Sequence, residues 1–202
     1  NIIAKEQHTQ IKIDKNKVNL PYELWSMDKI KPESKALVKF KDVYKGPYVV
    51  SAKLDGMSAL YVKTKEGAKM YTRGNGTYGQ DITHLIPYLL KRDNLVEGDN
   101  LVEGDDLVEG LAVRGEIIIK RETFATKYKD KFANPRNFVA GMVNKKTINA
   151  DVLNDLDYVA YELIYPIMKP HQQMLYFPQI NFNHVKFVVK EDITNENLSE
   201  IL

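Results

Sequence analysis

The chain has 202 residues, 44% of them hydrophobic and 28% charged, with a formal net charge of +2, which is enough apolar material for one large domain and excludes a disordered tail. It contains no cysteine, which excludes disulfide bonds and thiolate metal sites. No apolar run approaches the roughly 18 residues of a membrane helix, and residues 1–14 lack the layout of a signal peptide, so we expect a soluble, intracellular protein with no membrane partner.

The hydrophobic periodicity and the turn residues predict a mixture of short strands and helices. Pro87 favours a short or kinked form of the second helix. Strands connected by tight turns and mixed with helices, without a regular βαβ rhythm, indicate an α+β domain built on antiparallel sheet. In chain order we predict a helix at 33–44, strands at 47–53, 58–64 and 68–73, a helix at 80–92, a strand at 111–119, helices at 121–131 and 136–146, a strand at 157–165, and a last helix from Thr194.

An acidic repeat, LVEGDN-LVEGDD-LVEG, separates the two halves of this pattern at residues 95–110. It could be a turn of a hexapeptide β-helix or an expanded surface loop. Fewer than three full copies cannot bury a solenoid core, so we predict a mobile acidic loop. Residues 93–110 hold seven acidic side chains and no basic one, so the other 184 residues carry 29 basic and 20 acidic side chains, a net charge of +9. A basic body suits a protein that handles polyphosphate or nucleic acid, although many proteins are mildly basic without such a partner.

Four short islands place charge or glycine where strand packing favours neither. Lys53 could occupy the solvent-facing position of an edge hairpin with a type I′ turn, or it could be an amine presented to a ligand from a core strand. A lysine is a nucleophile only as the neutral amine, and the glycines allow the backbone to approach a ligand closely. The islands are Lys53-Leu54-Asp55-Gly56, Thr72-Arg73-Gly74-Asn75-Gly76, Val113-Arg114-Gly115-Glu116 and Asn134-Pro135-Arg136-Asn137.

In this order the islands resemble the adenylation (nucleotidyltransferase) domain of NAD-dependent DNA ligases. The family's lysine motif is present as KLDG, its second motif as TRGNGTYGQDIT, its glutamate motif as VRGE and its arginine motif as FANPRNFVAG. The resemblance covers about residues 20–165 and implies an ATP-grasp-like nucleotidyltransferase fold, in which antiparallel sheets are flanked by helices. It also implies a DNA ligase that uses NAD and Mg²⁺ and acts on nicked double-stranded DNA.

The resemblance implies a role for each matching residue. Lys53 would attack the α-phosphate of NAD and form lysyl-AMP, and Asp55 would assist through metal or ribose contacts. Arg73 would hold the nucleotide, Glu116 would bind the AMP ribose, and Tyr161 would stack on adenine unless it is an ordinary core tyrosine. Three further residues are expected at the DNA, namely Arg136 at the nick phosphates and Lys145 and Lys146 in place of a DNA-gripping arginine.

The chain also departs from the family pattern. Ser51 stands where the family usually has a glutamate that reads the adenine amino group, which leaves base selectivity open. The last two nucleotide-binding motifs, expected after about residue 200, are not found in the chain, nor are the zinc-finger, helix-hairpin-helix and OB modules or the N-terminal subdomain that reads nicotinamide mononucleotide. We therefore expect residues 1–202 to form part of an adenylation domain, monomeric and with weak or no activity in isolation.

Two alternatives remain at this point. Without the N-terminal subdomain, an ATP-dependent polynucleotide ligase is compatible with the same motifs. The chain could also be a non-catalytic nucleic-acid-binding module that keeps the motifs as relics, although Lys53, Arg73 and Glu116 are all intact.

Overall fold

The computed structural model describes residues 17–32, 34–91 and 107–201. The strands are Lys17–Asn19 (β1), Tyr48–Ser51 (β2), Met57–Thr64 (β3), Gly67–Thr72 (β4), Tyr78–Gln80 (β5), Ala112–Ile119 (β6), Leu156–Tyr165 (β7) and Phe187–Lys190 (β8). The α-helices are Ala36–Val43 (α1), Ile86–Leu89 (α2), Arg121–Lys127 (α3), Pro135–Val143 (α4), Ala150–Leu153 (α5), Pro170–Tyr176 (α6) and Asn195–Ile201 (α7). None of the helices in the described ranges is long and apolar enough to span a membrane.

A four-stranded antiparallel sheet, in the order β4-β3-β6-β7, forms the centre of the molecule. Alternate residues of its strands, such as Ala59, Val113 and Ile117, are fully buried in the main core on one face. The opposite face carries a smaller apolar cluster, formed by Leu60, Val62 and Ala112 of the sheet with Leu24 of the N-terminal segment. Because residues two apart on a strand share a face, this second face continues into polar side chains towards the start of β3.

The predicted α+β class with antiparallel sheets is confirmed. The helices predicted at 33–44, 121–131, 136–146 and from Thr194 appear as α1, α3, α4 and α7, and the strands predicted at 111–119 and 157–165 appear as β6 and β7. In β7 the burial alternates over residues 156–161, as expected for a strand with one face in the core.

The strand predicted at 47–53 is shorter than expected, and Lys53 lies neither on an edge hairpin nor on a core strand. Strand β2 ends at Ser51, and it pairs with β8, Tyr48 lying opposite Lys190, rather than with β3. Both edges of β3 are already occupied by β4 and β6. Gly56 is not among the glycines with positive φ, so the type I′ turn is also absent there. Residues 52–55 instead form a connection between two different sheets, and Lys53 lies in it.

The helix predicted at 80–92 is replaced, as far as Lys91, by shorter elements. Gln80 belongs to β5, Thr83–Leu85 is one 3₁₀ turn, and α2 covers only four residues. Pro87 lies in the first turn of α2, where its missing amide hydrogen leaves no helical bond unmade. Because of the proline, α2 does not extend back through the 3₁₀ turn and begins only after it.

Most of the acidic repeat, residues 95–106, lies outside the described residues, so the loop prediction stays a prediction there. The last unit is described. Leu107 is 9% exposed within the main core, and the Gly110 amide donates to the Lys63 carbonyl at 2.9 Å. The repeat is therefore attached to the sheet at its C-terminal end.

Candidate functional site

The loop that carries Lys53 is fixed against β6. The Gly56 amide donates to Glu116 Oε1 at 3.2 Å. A Cβ atom at Gly56 would lie 2.0 Å from the Ile117 carbonyl oxygen, so only glycine allows this approach. The side chains of Lys53 and Asp55 remain exposed at the surface of the loop. The loop thus presents an amine and a carboxylate beside the glutamate of β6.

Glu116 is buried and surrounded by positive charge. It is 7% exposed, and β6 places it opposite Ser58 of β3 on the second face of the sheet. Burial raises its pKa, while the Gly56 amide and nearby cations oppose that rise. These cations are Lys53, Arg136 and Arg114, in decreasing order of effect. A buried carboxylate in such a position can accept hydrogen bonds from the hydroxyl groups of a ligand.

Arg136 reaches the same loop from the N-terminal end of α4. Asn134 caps this helix, because its Oδ1 accepts a hydrogen bond from the Asn137 amide at 2.8 Å. Arg136 Nε lies 3.2 Å from the Gly56 carbonyl oxygen and 3.1 Å from Asp55 Oδ1. Both partners of this ion pair are more than half exposed, so the pair is weak and its charges remain accessible to a ligand.

Tyr161 lies on the same face, at a β-bulge. Arg114 pairs with Glu162 and Gly115 with Ala160, so Tyr161 has no direct partner on β6. Its hydroxyl is 2.8 Å from Ser58 Oγ, and burial raises its pKa. Tyr161 is half-buried, and it packs against the edge of the main core.

Arg73 approaches from the end of β4. Its amide donates to the Ser58 carbonyl at 2.9 Å, and Nη1 donates to Ser26 Oγ at 3.1 Å. The following turn requires glycine, because Gly74 has φ +54° and a Cβ there would lie 1.9 Å from the Tyr78 carbonyl oxygen. The turn therefore fixes the main chain at Arg73, and with it the point from which the side chain extends.

Lys145 and Lys146 are not part of this group. They are exposed residues that follow the C-terminal end of α4, whereas Arg136 lies at its N-terminal end. At about 1.5 Å per residue, the two ends of this helix are roughly 14 Å apart. The structure thus brings Lys53, Asp55, Arg73, Glu116, Arg136 and Tyr161 to one region and leaves the two lysines at the far end of α4.

Three residues of this region have no role in the sequence-based prediction, namely Ser26, Ser58 and Arg114. Arg114 carried a signal, because a charged side chain in the middle of the buried strand LAVRGEIII interrupts the apolar pattern. The two serines carried none, since serine is common in loops and at strand ends.

The carboxylates of this region could bind a magnesium ion only together with the oxygens of a bound phosphate. Within the described part of the chain, no three His, Cys, Asp or Glu side chains are grouped closely enough to hold a metal ion. Asp55 is paired with Arg136, and Glu116 accepts the Gly56 amide. Mg²⁺ typically takes one or two carboxylates together with phosphate oxygens and water, which this arrangement allows.

A cavity of about 610 Å³ opens at the edge of β7, and its lining includes Lys120, Asp157 and His184. None of the residues predicted for the site lines it. Val159, which does, lies opposite Glu116 in the register of β6 and β7. The cavity therefore adjoins the site without containing its charged groups.

Comparison with known proteins shows the family to which the chain belongs. The profile of the NAD-dependent DNA ligase adenylation domain matches residues 10–201. A protein of Invertebrate iridescent virus 6 that is named as a candidate DNA ligase is 39% identical over 190 residues, 92% of this chain. A DNA ligase of Acanthamoeba polyphaga mimivirus is 42% identical over 160 residues, 78% of this chain. The chain belongs to the family of NAD-dependent DNA ligase adenylation domains.

The relatives are much longer than the chain. It spans 29% of the iridescent virus protein and 24% of the mimivirus ligase. Among solved structures, a Naegleria gruberi RNA ligase with PPi is 17% identical, with a TM-score of 0.45 over 92% of this chain and 50% of the other.

Proposed function

We propose that this chain takes AMP from NAD onto Lys53 and passes it to the 5′-phosphate of a DNA nick. The observation that supports this most strongly is the convergence on Gly56. Its amide binds Glu116 and its carbonyl binds Arg136, residues 60 and 80 positions away in the sequence. Lys53 is exposed and lies three residues before Gly56. It is therefore close to Arg136 and Glu116, polar groups that can position a nucleotide and its phosphates.

In the first step, the neutral Lys53 amine attacks the α-phosphorus of NAD. A P–N bond forms and the P–O bond to nicotinamide mononucleotide breaks, so the leaving group carries the oxygen and the amine proton passes to solvent. Arg73 and Arg136 supply positive charge for the phosphates, which is the main requirement of phosphoryl transfer. Mg²⁺, held by phosphate oxygens together with Asp55, would neutralise further negative charge when bound.

In the second step, the DNA 5′-phosphate displaces Lys53 from the adenylate, and the amine regains a proton. The 3′-hydroxyl of the nick then attacks the activated phosphate and releases AMP. Throughout the first two steps Glu116 accepts a hydrogen bond from a ribose hydroxyl, and Tyr161 stacks on adenine. Arg136, at the exposed end of the loop, is available to the nick phosphates, and Lys145 and Lys146 contact DNA further along α4.

The test is a mass spectrum of the purified chain after incubation with NAD or with ATP, each with Mg²⁺. We expect an AMP adduct on Lys53 from NAD and none from ATP. The rate should be low, because preorganised phosphate-binding groups typically contribute ~10²–10³ each and the family's two further motifs are not among these residues. An adduct from ATP alone would favour the ATP-dependent class. No adduct, together with binding of nicked DNA in a gel shift, would favour a non-catalytic binding module.

A further inference from the structure

Arg114 is a buried cation with a specific set of contacts. It is 8% exposed in the middle of β6, where a charged group costs free energy unless its donors are bonded. Nη2 donates to the Trp25 carbonyl at 2.8 Å, and Nη1 lies 3.5 Å from Glu162 Oε2. Within the described residues, the buried Nε has no hydrogen-bond partner. The shortest of these bonds therefore attaches the main chain of the N-terminal segment to β6.

That part of the N-terminal segment, residues 24–26, is held at three points. Leu24 is 1% exposed against the sheet, and its amide donates to the Gly76 carbonyl at 2.8 Å. Trp25 is held by Arg114 and Ser26 by Arg73. Arg114 of β6 and Arg73, which follows β4, thus bind adjacent residues of one segment.

Arg114 also supports Tyr161. Its guanidinium carbon lies 5.6 Å from the centroid of the Tyr161 ring, within the range of a cation–π contact. The cation covers one face of the ring, and the hydroxyl is held by Ser58. The Tyr161 ring is therefore held both at its face and at its hydroxyl.

We propose that Arg114 is a positioning residue for the nucleotide, which holds the 24–26 segment and the Tyr161 ring together as one wall of the NAD site. The inference rests on the proposed function, because Tyr161 and Arg73 are the groups assigned to the nucleotide. Arg114 bonds to Trp25 and Glu162, not to the reacting atoms. Its loss should therefore weaken NAD binding more than it slows phosphoryl transfer.

The first experiment needs no nucleotide. Hydrogen exchange of peptides covering residues 20–30, and the fluorescence anisotropy of Trp25, the single tryptophan of the chain, report on the segment directly. Arg114→Lys keeps the positive charge but loses the two-pronged guanidinium that contacts Trp25 and Glu162. Arg114→Gln loses both the charge and the guanidinium. We expect exchange to accelerate roughly 10- to 100-fold in both variants, the effect of one charge-assisted hydrogen bond. Anisotropy of Trp25 should fall as well.

Arg121→Gln is the matched control, because Arg121 is an exposed arginine of α3. It should leave both signals unchanged. A folded Arg114→Lys variant with unchanged exchange and anisotropy would overturn the inference. Ser26→Ala gives a second route if neither Arg114 variant folds, since it removes only the bond to Arg73 and should loosen the same peptides.

The second experiment measures single-turnover adduct formation against NAD concentration. We expect the half-saturating NAD concentration to rise about tenfold in Arg114→Lys, the effect of one such bond, with a much smaller change in the saturating rate. Combining it with Ser26→Ala should give less than the product of the single effects, because both act through one segment. A reduced saturating rate with unchanged half-saturation would contradict the positioning role. If the wild-type chain forms no adduct, the proposed function and the nucleotide role fail together, whereas the attachment of the segment is decided by the exchange data.

Discussion

Glu116 Oε1 accepts the backbone amide of Gly56 at 3.2 Å, so the loop that carries Lys53 is attached directly to a buried carboxyl group. The bond joins residues 60 positions apart and determines which side chains share the site. It also satisfies one acceptor of a group whose burial would otherwise be costly. The protonation of Glu116 is therefore linked to the folding of this region.

The pH dependence of stability should reveal this linkage. Because burial raises the pKa of Glu116, the folded chain retains a proton that the unfolded chain releases. The free energy of unfolding should fall as the pH rises from about 4, the ordinary value for a glutamate, through the raised value. Glu116→Gln keeps an acceptor for Gly56 but does not titrate. Urea melts from about pH 4 to pH 7 should show the wild type losing stability relative to this variant.

The matched control is Glu122→Gln, an exposed glutamate in the first turn of α3. Its stability should run parallel to that of the wild type at every pH. Parallel curves for Glu116→Gln as well would show that burial does not shift the titration of Glu116.

Lys53 should be indispensable for the adduct but not for folding. Its side chain is exposed, so replacement by alanine removes few packing contacts. Lys53→Arg should fail as completely as Lys53→Ala, because a guanidinium stays protonated and cannot attack phosphorus. Mass spectrometry after incubation with NAD and Mg²⁺ measures the adduct, with Lys65→Ala, another exposed lysine, as the control. An adduct that persists on either Lys53 variant would remove this residue from its role.

Tyr161 should contribute to NAD binding through its ring rather than its hydroxyl. Tyr161→Phe loses the bond to Ser58, a stability cost of about 1 kcal/mol, but keeps the stacking surface. Tyr161→Ala should weaken NAD binding by roughly 1–3 kcal/mol, the range measured for base stacking. Calorimetric titration with NAD on both variants, with urea melts to check folding, separates the two effects. Equal losses of affinity in both variants would argue against stacking.

Lys145 and Lys146 should affect DNA binding without affecting adenylation. They lie at the opposite end of α4 from Arg136, which is close to the Lys53 loop. Replacing both by glutamine should weaken binding to nicked DNA and reduce the slope of log K against log salt by about 2. Gel shifts at several salt concentrations measure this slope, and the exposed pair Lys39 and Lys45 provides the control. A change in the rate of adduct formation would place the two lysines nearer the nucleotide than α4 allows.

The acidic repeat should tolerate shortening except at its last unit. Deleting residues 95–100 should change the free energy of unfolding by a few tenths of a kcal/mol, since loop closure depends weakly on length. Leu107→Ala should cost about 2 kcal/mol or more, because Leu107 is packed in the main core. Urea melts of both variants make the comparison. A loss of several kcal/mol on deletion would show that residues 95–100 are packed structure.

The sequence alone predicted the features that depend on local patterns. The α+β class and most elements follow from periodicity, capping and turn residues, as in α4, where Asn134 and Pro135 define the helix start. The spacing of KLDG, TRGNG, VRGE and NPRN was specific enough to identify the family. A local pattern cannot, however, specify which strands become neighbours.

Only the tertiary structure decided how these motifs meet. Lys53 was predicted at the end of a strand, but that strand, β2, ends at Ser51 and pairs with β8, about 140 residues further along the chain, because both edges of β3 are occupied. The bulge at Tyr161 depends on the register between β6 and β7, which neither strand contains by itself. Arg114 is unusual in the sequence, yet its bond to Trp25 exists only because the N-terminal segment crosses the same face of the sheet. Pairing and burial between distant segments, and not local preference, brought the charged groups together.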